Sequence, residues 1–330
     1  MNLVTGSTGH VGNVLVRQLL AAGEKVRALV LPGEDQAPLQ GMDVEVVEGD
    51  VLDARALQKA FRDVEYVYHL AGIISIMPGK DSFLRTVNVV GTRNVIHAAR
   101  AAGVRRLVYT SSIHALQRIP HGSIIDENVP FDPEHAISAY DHSKAEASLE
   151  VRQAANEDLD AVIVCPTGII GPYDFLRSEM GSLILDCALR KPQFYVEGAY
   201  DFVDVRDVAL GLILAREKGR RGETYLLSGE QITVKGLMES IRQITGQQFM
   251  RLKIPMAMAN FAARFTPMVY RLARQRPRFT PYSLETITSN SVISHKKASE
   301  ELDYAPRPLA ESLRDTVRWF LENRRLFVKS

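Results

Sequence analysis

Cysteine is scarce in this chain, and long apolar runs are missing. The two cysteines, Cys165 and Cys187, sit in apolar surroundings without CxxC or Cys/His spacing. That argues against paired disulfides or a metal site and fits a reducing cytosol. The longest apolar run, Val208 to Ala215, is far shorter than the roughly 20 residues that span a bilayer. Net charge is only +1, so no whole-molecule field points to nucleic acid or acidic partners. Repeats and low-complexity tracts are absent. Leu3 and Val4 lead directly into a glycine-rich loop, so no signal peptide is expected.

What is present suffices for a large core. The chain has 330 residues, 46% of them apolar, enough for one large α/β unit or two unequal lobes. In the N-terminal half, strand and helix patterns alternate. Strands are expected at Asn2–Thr5, Lys25–Leu31, Val44–Val47, Val64–Leu70, Arg106–Thr110 and Ala161–Cys165. Val11, Val14, Leu15 and Leu19 form a helical stripe that stops at Gly23. A long helix is expected over Ser82–Ala102, ended by Gly103, and another over about Ala139–Asn156. Such alternation requires right-handed crossovers and a doubly wound parallel sheet of Rossmann type. After Pro166 the pattern loosens into helices near Gly181–Arg190, Val205–Glu217, Val234–Thr245 and Leu309–Asn323, with short strands near Phe194–Val196 and Thr224–Leu227. The expected division is 1–166, a dinucleotide-binding domain carrying the catalytic residues, and 167–330, a smaller, mostly helical substrate lobe interleaved with it.

Thr5-Gly6-Ser7-Thr8-Gly9-His10-Val11-Gly12 follows a strand and opens a helix, the context a dinucleotide loop requires. The first glycine permits a tight turn, the second lets backbone reach a pyrophosphate, and the third allows close packing at the helix N-terminus. Two other strand ends fit the same ligand: Gly49-Asp50-Val51 at an adenine edge, and His69-Leu70-Ala71-Gly72, where small residues admit ribose and phosphates. Together they trace a line across the strand C-termini, where open α/β sheets bind ligands. The second strand ends at Leu31, followed by Pro32-Gly33-Glu34-Asp35. Between Arg27 and Arg55 there is no Lys, Arg or His. A 2′-phosphate, with about two negative charges, would meet Glu34 and Asp35 uncompensated unless Arg27 or a distant cation reached it. NAD is therefore preferred, with NADP the alternative.

Tyr140 and Lys144 stand four residues apart on one face of the expected helix. A lone pair of this kind is ordinarily a solvated face, but here it follows a dinucleotide loop and the strand end Thr110-Ser111-Ser112. Hydride chemistry at an alcohol or carbonyl needs a proton donor or acceptor. A tyrosine brought from about 10 to near 7 needs about 4 kcal/mol of preferential phenolate stabilisation, which a nearby Lys144 ammonium and a positive nicotinamide ring would supply. A strand-end hydroxyl would anchor the substrate oxygen.

These ordered motifs resemble the extended short-chain dehydrogenases/reductases, the NAD-dependent epimerase/dehydratase family, over nearly the whole chain. The resemblance implies that Ser112, Tyr140 and Lys144 are catalytic, with Tyr140 the acid/base. It places Asn88, in Asn88-Val89-Val90-Gly91-Thr92, in support of the site through backbone and water contacts. It sets Pro166-Thr167-Gly168 beside the nicotinamide carboxamide, with Thr110, Tyr140 and Lys144 also at the cofactor. Phe202-Val203-Asp204-Val205-Arg206-Asp207-Val208 resembles the stretch joining the substrate lobe to the core. A homodimer through the helix Ala139–Asn156 is a further implication.

Within that family, dehydratases carry Asp-Glu after the catalytic hydroxyl, whereas Ser112 is followed by Ile113-His114. Epimerases often continue with Val-Tyr-Gly, where this chain has Ala115-Leu116-Gln117. The reading is closest to the dihydroflavonol reductase, aldehyde reductase and 3β-hydroxysteroid dehydrogenase branch: hydride exchange with a carbonyl or secondary alcohol of a small apolar substrate. The alternatives are a nucleotide-sugar 4-epimerase and a non-catalytic redox regulator. His114 and His142 receive no catalytic role. Residues 251–280 hold Arg251, Lys253, Arg264, Arg271, Arg274, Arg276 and Arg278 with no acid, among Met and Phe residues. A packed helix with a basic face accounts for them; an apolar lid or contact with an anionic membrane surface are the other readings.

Overall fold

The computed structural model describes residues 1–74, 81–263 and 280–327. Most of segment 251–280 therefore lies outside the described residues, and with it the lid and membrane readings. Of its cations inside them, Arg251 pairs with Glu239 and Lys253 with Glu197.

Seven strands form one parallel sheet: β1 (Asn2–Thr5), β2 (Val26–Val30), β3 (Glu45–Glu48), β4 (Tyr66–His69), β5 (Arg106–Thr110), β6 (Ala161–Pro166) and, from far along the chain, β10 (Thr224–Leu227). Their spatial order is β10-β6-β5-β4-β1-β2-β3, with all six pairings parallel. Strand order reverses between β1 and β4, and ligands bind outside the strand ends at such a switch point.

Side-chain alternation divides the sheet between two cores. Leu3, Val67, Leu107 and Ile163 face one side, packed with Leu57, Val95, Ile96 and Val151. Those partners come from α2 (Ala54–Ala60), α4 (Gly91–Ala102) and α5 (Ala139–Glu157). Val4, Tyr68, Val108 and Val164 face the other side, against α1 (His10–Ala21) and α7 (Val205–Lys218). Strands β1, β2 and β6 are buried on both faces and read as near-continuous apolar runs, while the edge strand β3 is largely exposed.

The expected helix 82–102 is three pieces. α3 (Asp81–Arg85) runs into a π-helical turn, Thr86–Val90, before α4. The inserted turn carries Asn88, in keeping with π-bulges at functional positions. Gly103 ends α4 at φ 64°, a left-handed cap that glycine takes without strain.

Beyond Pro166, four strands that sequence periodicity did not reveal build two small sheets with one expected strand. β7 (Gly168–Ile170) and β9 (Ala199–Asp204) pair in parallel, and β11 (Glu230–Thr233) runs antiparallel to β9. β8 (Gln193–Tyr195) pairs with β12 (Arg251–Lys253). The lobe is thus less purely helical than expected. Its own core joins Ile184 and Leu185 of α6 (Glu179–Ala188), Leu237 and Ile241 of α8 (Val234–Thr245), and Leu313, Val317 and Phe320 of the helix Leu309–Glu322. No helix among the described residues is long and apolar enough to cross a membrane.

Candidate active site

The glycine loop closes on itself. Gly6 has φ +67°, and a Cβ there would stand 2.8 Å from the Ala71 nitrogen. A Cβ on Gly12 would lie 2.0 Å from the Gly6 carbonyl oxygen, so the third glycine is needed for the loop to fold over the start of α1. Gly9 differs: its Cβ would meet only the Gly6 oxygen, at 3.2 Å. Its outer side is open. The cradle is braced from behind, since Ser7 donates to the Leu29 carbonyl at 3.1 Å and Thr8 is buried. Asn13 donates to the Gly9, His10 and Tyr173 carbonyls, and the His10 ring meets the Pro172 carbonyl at 3.0 Å. An open glycine backbone at a helix N-terminus fits a dinucleotide pyrophosphate.

Behind β1 and β4, hydrogen-bond accounting fixes a tautomer. Thr92 donates its hydroxyl to the Asn88 carbonyl at 2.6 Å, so toward His69 it accepts. The His69 Nε2, 3.0 Å away, carries the proton. Nδ1 then accepts from the Thr5 hydroxyl at 2.8 Å, whose oxygen in turn accepts from the amides of Leu70 and Ala71. Burial, helped by the Lys144 charge, pushes His69 down to about 3. The neutral ring pins the Leu70-Ala71-Gly72 strand end beside the glycine loop.

From that strand end the network continues to α5. The Asn88 side chain accepts from the Ile73 amide at 2.7 Å, donates to the Ile73 carbonyl and donates to Ser143 at 2.9 Å. Ser143 donates to the Tyr140 carbonyl at 2.8 Å. A Cβ on Gly72 would approach the Asn88 Oδ1 at 3.1 Å and the Lys144 Nζ at 4.0 Å. The strand end after β4, Asn88 and α5 thus meet at Gly72. Asn88 contacts the main chain of Ile73 on both its donor and its acceptor side.

Hydroxyl partners separate Ser111 from Ser112. Ser148 donates to the Lys144 carbonyl at 2.7 Å, so Ser111 spends its proton on Ser148 at 2.6 Å. Ser112 accepts from the His114 amide at 3.2 Å, which leaves its own proton for the site. It lies against the Tyr140 phenol and favours the phenolate, but burial dominates and raises Tyr140 to about 12. Lys144, buried and lowered to about 8, donates to the Thr110 carbonyl at 2.6 Å. Its ammonium is thus engaged with β5, and the protein's own groups hold Tyr140 as the protonated phenol.

The remaining expected residues divide. Val51 is buried behind the Gly91 start of α4. The Asp50 carboxylate accepts from the Leu52 amide, and Leu31 is half exposed at the end of β2, its amide donating to Glu34. Pro166 ends β6, and Gly168 packs under Tyr200. Thr167 is not free, because its hydroxyl donates to Asp201 at 2.6 Å. Arg27 does not reach the ribose end: it pairs with Glu45 and donates to the Ala60 and Arg62 carbonyls.

Sequence reasoning missed a pocket beside Ser112. A cavity of about 220 Å³ has one apolar wall of Ile113, Leu116, Ile119, Ile125 and Ile293 and a polar remainder of His114, Gln117, Arg118, His121, Tyr200, Glu285, Thr288, Ser289 and Asn290. His114, unassigned from sequence, meets the Tyr200 hydroxyl at 2.6 Å. Only folding brings these residues together.

Residues 2–228 match the model of the NAD dependent epimerase/dehydratase family. Sterol demethylase protein B of Methylococcus capsulatus is 40% identical over 97% of this chain and 98% of its own. A Synechocystis protein provisionally named dihydroflavonol 4-reductase is 33% identical over 96% and 93%. The crystal structure of gox2253 superposes with TM-score 0.85 at 34% identity, covering 98% of this chain and 99% of that one. The chain belongs to the NAD dependent epimerase/dehydratase family, the extended short-chain dehydrogenases/reductases. Within it, this is an NAD-dependent oxidoreductase acting on a small molecule.

Proposed function

We propose that the enzyme reduces a ketone on an apolar, ring-built substrate, with Tyr140 as proton donor, Ser112 as oxygen anchor and NAD(H) as the coenzyme. The observation that carries this is the Ser112–Tyr140 pair, buried beside an isoleucine-lined cavity, with the phenol held protonated. A protonated phenol at neutral pH is the acid form, which suits reduction. Bound nicotinamide supplies the hydride. Ser112 donates to the carbonyl oxygen, the phenol proton of Tyr140 passes to that oxygen as the alcohol forms, and the apolar wall excludes water. Lys144, beside Gly72 and Thr110, would hold the nicotinamide ribose, and Thr110 Oγ, buried without a partner, faces the same need. The sterol-named and dihydroflavonol-named relatives support a fused-ring substrate.

NAD is favoured over NADP because Arg27 is committed elsewhere and Glu34 closes the end of β2. The division into 1–166 and 167–330 is supported by the separate core of α6 and α8, with α7 and β10 returning to the sheet. A homodimer through α4 and α5 and a cytoplasmic setting, which suits two buried free thiols, complete the reading.

NADH oxidation in the presence of cyclic ketones, followed at 1:1 stoichiometry with alcohol product, is the test. Isomerisation of a nucleotide sugar without net redox change would replace the reductase with an epimerase.

A further inference from the structure

Lys144 is a buried cation with no carboxylate beside it among the described residues. The carboxylates of its own helix are committed outward: Asp141 to Arg118 and Tyr282, Glu146 to Arg85, and Glu150 to Arg93. The titratable groups that face the ammonium carry no charge at neutral pH. His69 on β4 is held near 3, burial pushes the Cys165 thiol on β6 up to about 12, and Tyr140, one turn earlier, is a protonated phenol. A lone ammonium in such surroundings ordinarily gives up its proton, yet burial lowers Lys144 only to about 8. Two neighbouring residues of β5 answer its charge. The Thr110 carbonyl accepts from it at 2.6 Å, and its Nζ stands over the Tyr109 ring, 4.7 Å from the centroid.

We propose that Tyr109 is a positioning residue whose ring face holds the Lys144 ammonium at the end of β5 and keeps it charged where the Tyr140–Lys144 pair works. The use of that charge in turnover rests on the reductase reading above; the holding of it does not. An aromatic face attracts a cation through its quadrupole, most strongly where water is excluded. Tyr109 is 1% exposed, and its ring is fixed from a second side by His69, whose centroid lies 5.6 Å away. His69 is in turn pinned by Thr5 and Thr92, so the chain of contacts runs from the glycine loop through two rings to the ammonium. The Tyr109 hydroxyl is buried without a hydrogen-bond partner. The position therefore uses the ring and not the phenol oxygen.

The experiment follows Lys144 itself by carbon NMR, in the full chain with lysine labelled at Cε and no substrate or cofactor added. The Lys144 signal is the one missing from Lys144→Met, and its position is recorded as pH is raised. Wild type should titrate near pH 8, and Tyr109→Phe, which keeps the face, should titrate with it. Tyr109→Leu should titrate lower, by about half to one and a half pH units. Difluorophenylalanine introduced at position 109 keeps the shape of the ring but drains its face of negative charge. Its midpoint should fall between those of Tyr109→Phe and Tyr109→Leu, and it serves alone where Tyr109→Leu does not fold. A midpoint unchanged or raised in the fluorinated protein means that Tyr109 only fills space and overturns the inference. A fall in Tyr109→Phe as large as in the fluorinated protein assigns the effect to the hydroxyl and overturns it equally. Either result leaves the reductase reading standing, because the titration involves no turnover.

Discussion

The Lys144 ammonium donates to the main-chain carbonyl of Thr110 at 2.6 Å, which fixes α5 to the end of β5. Tyr140, one turn earlier on the same helix, is therefore positioned by a bond that does not use its own oxygen. Tyr140→Phe should keep that bond and the helix. It should lower kcat by about 10²–10⁴-fold, the range for losing a general acid, with the NAD dissociation constant nearly unchanged. Steady-state kinetics beside fluorescence titration of NADH measures both, and near-normal turnover would remove Tyr140 from the mechanism.

Lys144 also gives stability an alkaline signature. Its proton is released near pH 8 in the folded chain and near 10.5 in the unfolded one. Between those values the unfolded chain holds more protons, so this group's contribution to stability rises with pH. Relative to Lys144→Met, wild-type unfolding free energy should improve from pH 7 to pH 9.5. Urea titrations at the two pH values show it, and parallel changes in both proteins would contradict the burial of a charged Lys144.

On the acid side the buried histidines act. His69, held near 3 against an ordinary 6.5, stays neutral when folded while the unfolded chain takes up a proton. Its contribution is complete above pH 6.5 and is lost as pH falls toward 3, at up to about 1.4 kcal/mol per pH unit. His69→Gln should flatten the loss between pH 6 and pH 4. An unchanged slope would mean that the ring titrates freely.

Two glycines three residues apart should behave differently. Gly12→Ala sets a methyl 2.0 Å from the Gly6 oxygen, a clash expected to lower the melting temperature by many degrees. Gly9→Ala meets that oxygen only at 3.2 Å and should melt within a few degrees of wild type. It should nevertheless bind NAD at least about tenfold more weakly, because the methyl occupies the open side of the cradle. Equal NAD affinity in Gly9→Ala would move the pyrophosphate elsewhere.

Cofactor choice can be read through salt. With Glu34 at the end of β2 and Arg27 committed to Glu45, NADP should bind at least about tenfold more weakly than NAD at low ionic strength. The gap should narrow as salt screens the repulsion. Glu34→Lys should raise NADP affinity. Preference for NADP in the wild type would require another cation at the ribose.

Much of this was legible in the sequence, for identifiable reasons. β1, α1, β4 and α5 are strong because local periodicity and end signals agree: Gly23 and Gly103 close helices, and each strand is buried on both faces. Ser112, Tyr140, Lys144 and the glycine loop are short motifs in order. The lobe was harder. Ala-Tyr-Asp-Phe-Val-Asp of β9 buries Asp201 on the distant Thr167, and Asp204 on the neighbouring Arg206 and the distant Arg307, so polarity conceals a strand. β7 and β12 have three residues each, too few for a period. The π turn at Thr86–Val90 leaves no signature, and the contact of His114 with Tyr200 exists only after the lobe folds back.

A part of this enzyme that is made before its lobe is completed only after it. β1, the glycine loop and α1 are made well before α7, but Val14, Leu15 and Leu19 on α1 share their core with Val205, Val208 and Leu212 of α7. Until α7 emerges, a nascent chain has only the strands to cover that face. The glycine loop hangs from the same helix. Its cooperative setting, like the addition of β10 to the sheet edge, waits for contacts of very high sequence separation, which form slowly and expose intermediates to aggregation. Synthesis halted near residue 200 would yield a chain with every glycine of the cradle and no firm seat for it.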